Sequence, residues 1–181
     1  MTVRMLTIED ADQYIEHMVL CDSESGKDGG VHFHVYSASE PFDMRSGKDR
    51  ERRRWSTPST ETGWRRAWGM FDGDKMVGHL YLAGGTLLSE LHRIQLGMGI
   101  LKSHHRRGGG SLMLQSAIEW AQAQPHIAWI DLGVFVENTP AQILYAKFGF
   151  SELGRTPDRF RVDGHRIDDI SMSLCVGEKV R

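Results

Sequence analysis

The pattern of apolar and polar positions predicts strands and helices in mixed order. Residues 1–8 read as a first strand. Thr7 then offers a helix N-cap with Asp10 three residues on, and Ala11, Ile15, Met18 and Val19 form the apolar stripe of a helix. Residues 21–30 cluster Ser, Gly and Asp and read as a loop. Residues 64–83 predict a hairpin, two alternating strands about a turn at Asp72-Gly73-Asp74-Lys75. After a loop at 84–90 comes a long strand over 91–101, then a basic, glycine-rich stretch. The helix beyond it carries Leu114, Ala117, Ile118 and Ala121 at i, i+3, i+4, i+7. Residues 127–137 are a continuous apolar run, as in a central strand. Ala141, Leu144, Tyr145 and Phe148 then share one helical face, with Thr139 as cap, Pro140 in the first turn and Gly149 as a left-handed stop. Residues 151–161 and 166–176 flank a turn and form a terminal hairpin. No linker, repeat or low-complexity tract interrupts this order, so one domain over residues 1–181 is expected.

The stretch at 96–124, LGMGILKSHHRRGGGSLMLQSAIEWAQAQ, carries the chemistry. A strand feeds a loop rich in base (Lys102, His104, His105, Arg106, Arg107) and glycine (Gly108, Gly109, Gly110), and the loop opens a helix. Such a helix start has unpaired N–H groups and a dipole that favours an anion, and glycines let a phosphate reach the backbone. Two common phosphate loops are excluded by their letters. No Lys-Ser or Lys-Thr follows the glycines, and Gly97-Met98-Gly99 is followed by Ile100, Leu101 and Lys102 rather than by a third spaced glycine.

Composition narrows the function. Forty per cent hydrophobic with 25 per cent charged residues suits a globular chain, and a net charge of −2 argues against general nucleic-acid binding. Cys21 and Cys175 have neither metal spacing nor a disulfide pattern, which favours a reducing cytosol. The first residues lack an apolar signal core and no run reaches membrane-spanning length, so a cytoplasmic protein without a membrane partner is expected. His32 and His34, as His-x-His, have metal-binding character, but no third ligand is placed by sequence and no metal is assigned. The charge run at 47–55, GKDRERRRW, reads first as a solvated helix whose ions compensate one another, and second as an attractor of an acidic substrate or of cofactor phosphates.

Ile100, His105, Gly108 and Gly110 resemble motif A of the GNAT superfamily, the acetyl-CoA-dependent N-acetyltransferases, with His105 standing where Arg or Gln is usual. Residues 138–150, NTPAQILYAKFGF, resemble motif B of the same superfamily at every fixed position. The resemblance covers roughly residues 90 to 151, and the N-terminal third has none. It implies an α/β fold: a mixed, twisted sheet of about six or seven strands with about four helices on its faces.

It also implies a bulged strand at Gly97 and Gly99 that splays from its neighbour, with pantetheine in the opening. Met98, Gly99, Ile100, Arg106, Arg107, Gly108, Gly109, Gly110, Ser111, Asn138 and Tyr145 would then hold acetyl-CoA as co-substrate. The implied chemistry is direct attack of a neutral amine, from a small molecule or a peptide terminus, on the thioester. Tyr145 would be the acid at the leaving thiol, and amides near Met98 to Ile100 the oxyanion donors. Family members that acetylate protein N-termini often carry a glutamate five residues before the motif B asparagine. Here that position is Gly133, which leaves Glu90, His92 and Glu137 as candidate bases with a water chain as an alternative, His92 and Glu137 being nominated beside Tyr145. A non-catalytic acyl-CoA-binding domain is the alternative. Homodimers are common in the superfamily, and the acceptor pocket is expected from residues 20–65 and the terminal hairpin.

Overall fold

The computed structural model describes residues 1–27, 30–37 and 44–177. Among these residues seven strands form one sheet: β1 (Thr2–Met5), β2 (Arg65–Asp72), β3 (Lys75–Gly84), β4 (Arg93–Ile100), β5 (Trp129–Phe135), β6 (Ser151–Val162) and β7 (His165–Cys175). Their order across the sheet is β1-β2-β3-β4-β5-β7-β6, and every neighbouring pair is antiparallel except β4 with β5. Four α-helices among the described residues cover it: α1 (Ala11–Asp22), α2 (Met44–Ser56), α3 (Gly109–Gln122) and α4 (Thr139–Lys147). Strand number and helix number match the expected α/β architecture.

The two faces of the sheet have separate cores. On one, Tyr14 and Ile15 of α1 and Trp55 of α2 bury Leu6, Ala67, Phe71 and Met76. On the other, Met113, Leu114, Ala117 and Ala121 of α3 and Tyr145 of α4 pack on Trp68, Met70, Leu80, Leu82, Ile130 and Leu132. Along β2 and β3 the alternation of side chains sends them to both cores, Ala67 and Phe71 to the first and Trp68 and Met70 to the second.

Local chemistry sets most boundaries. Thr7 does start the first helical segment: its backbone N–H donates to Asp10 Oδ2 at 2.8 Å, but the first turn is a short 3₁₀ piece before α1. The β2–β3 turn contains Gly73 with φ of +59°, as the Asp-Gly signal requires. Asn138 rather than Thr139 caps α4; its side-chain oxygen accepts from the Ala141 N–H at 3.3 Å, with Pro140 in the first turn. Gly149 closes α4 at φ of +90°. Residues 32–36 alternate polar and apolar side chains but form no strand.

The charged run became α2, and most of it is solvated as the sequence suggests. Arg52 and Lys48 reach across to Asp12 and Glu16 of α1. Glu51 departs from that reading. It is 1% exposed and accepts two bonds from Arg65 Nη1 of β2, both at 3.1 Å. The Arg65 guanidinium in turn lies 4.0 Å over the Tyr81 ring of β3. A periodicity reading sees Glu51 as one more surface charge; burial against β2 makes it a fixed anchor.

Candidate active site

The site begins where β4 and β5 part. They pair in parallel at only three positions, Arg93 with Trp129, Ile94 with Ile130 and Gln95 with Asp131. Beyond these, β4 stays paired to β3 through Ile100 and β5 to β7 through Phe135. The facing edges of 96–100 and 132–135 therefore keep backbone N–H and C=O groups that no described strand satisfies, lining a wedge. The closed end is pinned. Arg93 meets Asp131 through Nε at 2.8 Å and Nη2 at 2.6 Å, and Ser173 donates to Asp131 at 2.6 Å.

The open end leads into the glycine loop. Leu101 is buried, Lys102–His104 make one 3₁₀ turn, and Gly108 at φ of +79° delivers the chain into α3. The loop is held from several sides. Lys102 N–H donates to Glu24 Oε2 at 2.8 Å, and His105 Nε2 donates to the Ile100 carbonyl at 2.7 Å. His105 thus folds its loop back on the end of β4, a structural task, and leaves the loop's charge to Arg106 and Arg107. Both arginines are exposed and make no ion pair among the described residues.

Among the described residues, no backbone N–H from Arg106 to Ser111 donates a hydrogen bond. Six consecutive donors, from the loop and the first turn of α3, are therefore available at the positive end of the helix dipole. The glycines have different reasons. Gly108 needs its left-handed backbone. A Cβ on Gly109 would collide with Met70 Sδ, and one on Gly110 would lie 3.1 Å from Leu144. Gly109 and Gly110 let α3 seat closely on β2 and against α4, which aims the donors.

Gly97 and Gly99 answer a different demand from the one expected. The β3–β4 register runs unbroken from Gly78–Ile100 to Gly84–Ile94, so β4 has no bulge against β3. Instead, a Cβ at Gly97 would strike the Tyr81 ring, and one at Gly99 would lie 2.7 Å from His79 Cε1 and 2.9 Å from Cys21 Sγ. The glycines make room for cross-strand side chains on the α1 face, while the splay itself comes from the loss of pairing with β5.

Tyr145 projects from α4 into the core beneath the wedge. It is 6% exposed, with its ring 5.7 Å from that of Phe150. Burial first, and the nearby Tyr81 phenol second, push its pKa above the usual tyrosine value, so it holds its proton at neutral pH. Asn138 and Glu137 lie at the β5–α4 junction, Asn138 engaged as the cap and Glu137 exposed. Met98, Gly99 and Ile100 line the wedge, half-buried, and Ser111 with Leu112, Gln115, Lys147 and Phe148 borders a groove between α3 and α4.

His92 is not in this group. It precedes β4 at the closed end, its carbonyl accepting from Ala128 and Trp129, and seven residues of extended chain, roughly 23 Å, separate it from Gly99. Glu90 is occupied as well, accepting from the Thr86 and Leu87 N–H groups at 2.7 and 3.1 Å. In their place stands Asp169 of β7, which sequence reasoning missed. Both of its carboxylate oxygens lie 3.1 Å from where a Gly133 side chain would begin. Burial raises the Asp169 pKa, and Arg159 partly opposes the shift. A carboxylate thus stands beside position 133, brought there across the β5–β7 ladder.

A strand that splays from its parallel neighbour, followed by a donor-rich glycine loop at a helix start, is the frame of the site. The sequence profile of the acetyltransferase (GNAT) family matches residues 33–150, and the chain belongs to that family. The family uses acetyl-CoA and acts on amine substrates. No curated protein matches the chain. Among solved structures it is similar to a Salmonella typhimurium protein assigned as an acetyltransferase and solved with acetyl-CoA, at TM-score 0.81 and 14% identity over 99% of this chain and 96% of that one. A GNAT acetyltransferase from Streptococcus pneumoniae gives 0.77 at 22% identity, covering 97% and 99%. A ribosomal-protein-alanine N-acetyltransferase from Brucella melitensis gives 0.76 at 15%, also covering 97% and 99%. Likeness at such identities is likeness of fold. No helix among the described residues is long and apolar enough to cross a membrane.

Proposed function

We propose that the protein transfers the acetyl group of acetyl-CoA to a primary amine, of a small molecule or a protein N-terminus, by direct attack in a ternary complex. The row of free donors from Arg106 to Ser111 beside the splayed β4 is the observation that carries this reading. Those N–H groups, with Arg106 and Arg107, suit the pyrophosphate of the cofactor. The unpaired edge at Met98, Gly99 and Ile100 suits the pantetheine amides, which would add to β4 as a strand does. The groove beside Ser111 then takes the far end of the nucleotide, and Asn138 closes the opposite wall.

The amine must arrive without its extra proton, since alkylamines with pKa near ~10 are charged at neutral pH. Asp169 beside Gly133, with Glu137 at the rim, is the acidic pair suited to receive that proton, directly or through water. His92 is too distant to serve. The amine lone pair then attacks the thioester carbon, and β4 amides face the oxygen as it gains charge. As the C–S bond breaks, the Tyr145 hydroxyl donates its proton to sulfur.

Calorimetry with acetyl-CoA, CoA and ATP tests the cradle. Wild type should bind both CoA species, and an Arg106→Glu, Arg107→Glu variant should lose both while keeping its fold, because both side chains are exposed and two carboxylates then face the phosphate position. Failure of folded wild type to bind any CoA species would sink the proposal. Thiol release with an amine panel then separates an enzyme from a non-catalytic acyl-CoA-binding domain. Tyr145→Phe is expected to lower kcat by about 10²-fold with acetyl-CoA affinity unchanged. This is the low end for acid–base groups because a thiolate is already a fair leaving group.

A further inference from the structure

Behind Gly99, on the α1 face, three donor groups of no assigned purpose converge. His17 and Cys21 lie one turn apart on α1, and His79 faces them from β3; all are buried, at 3%, 0% and 5% exposure. One ligand atom from each lies within 4.8 Å of the other two. His17 Nε2 and His79 Nδ1 are 3.1 Å apart. Two nitrogens on one tetrahedral zinc ion, about 2.05 Å each from the metal, lie roughly 3.3 Å apart, so the pair is already near a bound spacing.

The group is also under-satisfied as it stands. His17 Nδ1 is fully buried without a hydrogen-bond partner, and the Cys21 thiol makes no hydrogen bond among the described residues. The carbonyls of Gly99 and Met76 lie beside the His17 ring. Carbonyls beside a histidine are what an imidazole bound to a cation needs as its outer layer.

We propose that His17, Cys21 and His79 bind a zinc-class divalent cation, which ties α1 to β3 directly behind β4. Thiolate with two imidazoles selects such a borderline-soft ion over magnesium or calcium. On binding, the Cys21 thiol releases its proton and the hydrogen bond between the imidazoles is replaced by two metal–nitrogen bonds. The proton on His17 moves to Nδ1. His32 and His34, the pair that sequence spacing draws attention to, are not ligands. The His34 ring instead pairs with Asp22 at 3.0 Å.

The test uses the full chain, reduced and stripped with a chelator, then titrated with Co²⁺. The expected result is one ion per chain, with a near-ultraviolet thiolate-to-cobalt band that Zn²⁺ abolishes by displacement. Cys21→Ser should remove the band and weaken zinc binding by more than about 100-fold, beyond what an outer-layer change brings. Cys175→Ser and a His32→Gln, His34→Gln variant should keep both. X-ray absorption of zinc-loaded wild type decides the matter even if Cys21→Ser does not fold: one sulfur at about 2.3 Å is expected. A folded wild type with no thiolate band, a band that survives in Cys21→Ser, or a shell of nitrogen and oxygen alone overturns the site. None of these readouts depends on acetyl transfer or on cofactor binding.

Discussion

Asp169→Asn should lower kcat/KM for amine acetylation by about 10²- to 10⁴-fold, the range for a positioned base. It should leave acetyl-CoA affinity and the melting temperature close to wild type. The amide has nearly the shape of the carboxylate but cannot take a proton from the amine. Stability follows from the sign of the shift. Burial raises the Asp169 pKa in the folded chain, so its charged form is the one folding disfavours. Its contribution is greatest at low pH and is lost as pH rises through the raised value, so removing the charge at neutral pH costs nothing and slightly favours the fold. In the wild type, activity should rise through a pKa above the ordinary carboxylate value. Asn should erase that limb and leave the one set by the amine itself. An Asp169→Asn enzyme with an unchanged pH profile would move the base to Glu137 or to water.

Glu51→Leu should destabilise the protein by about 3–5 kcal/mol, because it leaves the Arg65 guanidinium buried without its counter-ion. Typical domains are stable by about 5–15 kcal/mol, so chemical denaturation should show a large fall in midpoint. Pairing the change with Arg65→Met should recover most of the loss, since two apolar side chains replace the ion pair without stranding a charge. The double variant separates stability from function. Arg65 also rests on the Tyr81 ring, which lies against Gly97 beside the wedge. A stable double variant with weakened turnover would show that the ion pair also positions Tyr81; full turnover would confine Glu51 to folding.

Local sequence determined a good deal. The motif B helix was legible because Ala141, Leu144, Tyr145 and Phe148 recur at helical spacing between a Pro start and a Gly stop, features that act within a few residues. The Asp72-Gly73 hairpin and the strand–glycine–helix order were legible for the same reason, and with them the family. Their chemistry lies in the backbone of one continuous stretch, so order along the chain suffices to locate it.

Tertiary structure decided what several strands share. Which end of β4 opens depends on where pairing with β5 stops, and that excluded His92 although it adjoins the same strand. Asp169 meets Gly133 only because β7 inserts next to β5 in a fixed antiparallel register. A slip of one residue there would send the carboxylate to the other face. Glu51 reads as solvated in a charge run until β2 supplies Arg65. Cys21 reads as a lone thiol until α1 turns it, with His17, toward His79. Periodicity says which face of an element is buried but not which residue of a distant element meets it. Those meetings follow from strand order, register and helix seating, and the acid–base and metal-binding candidates arise from them.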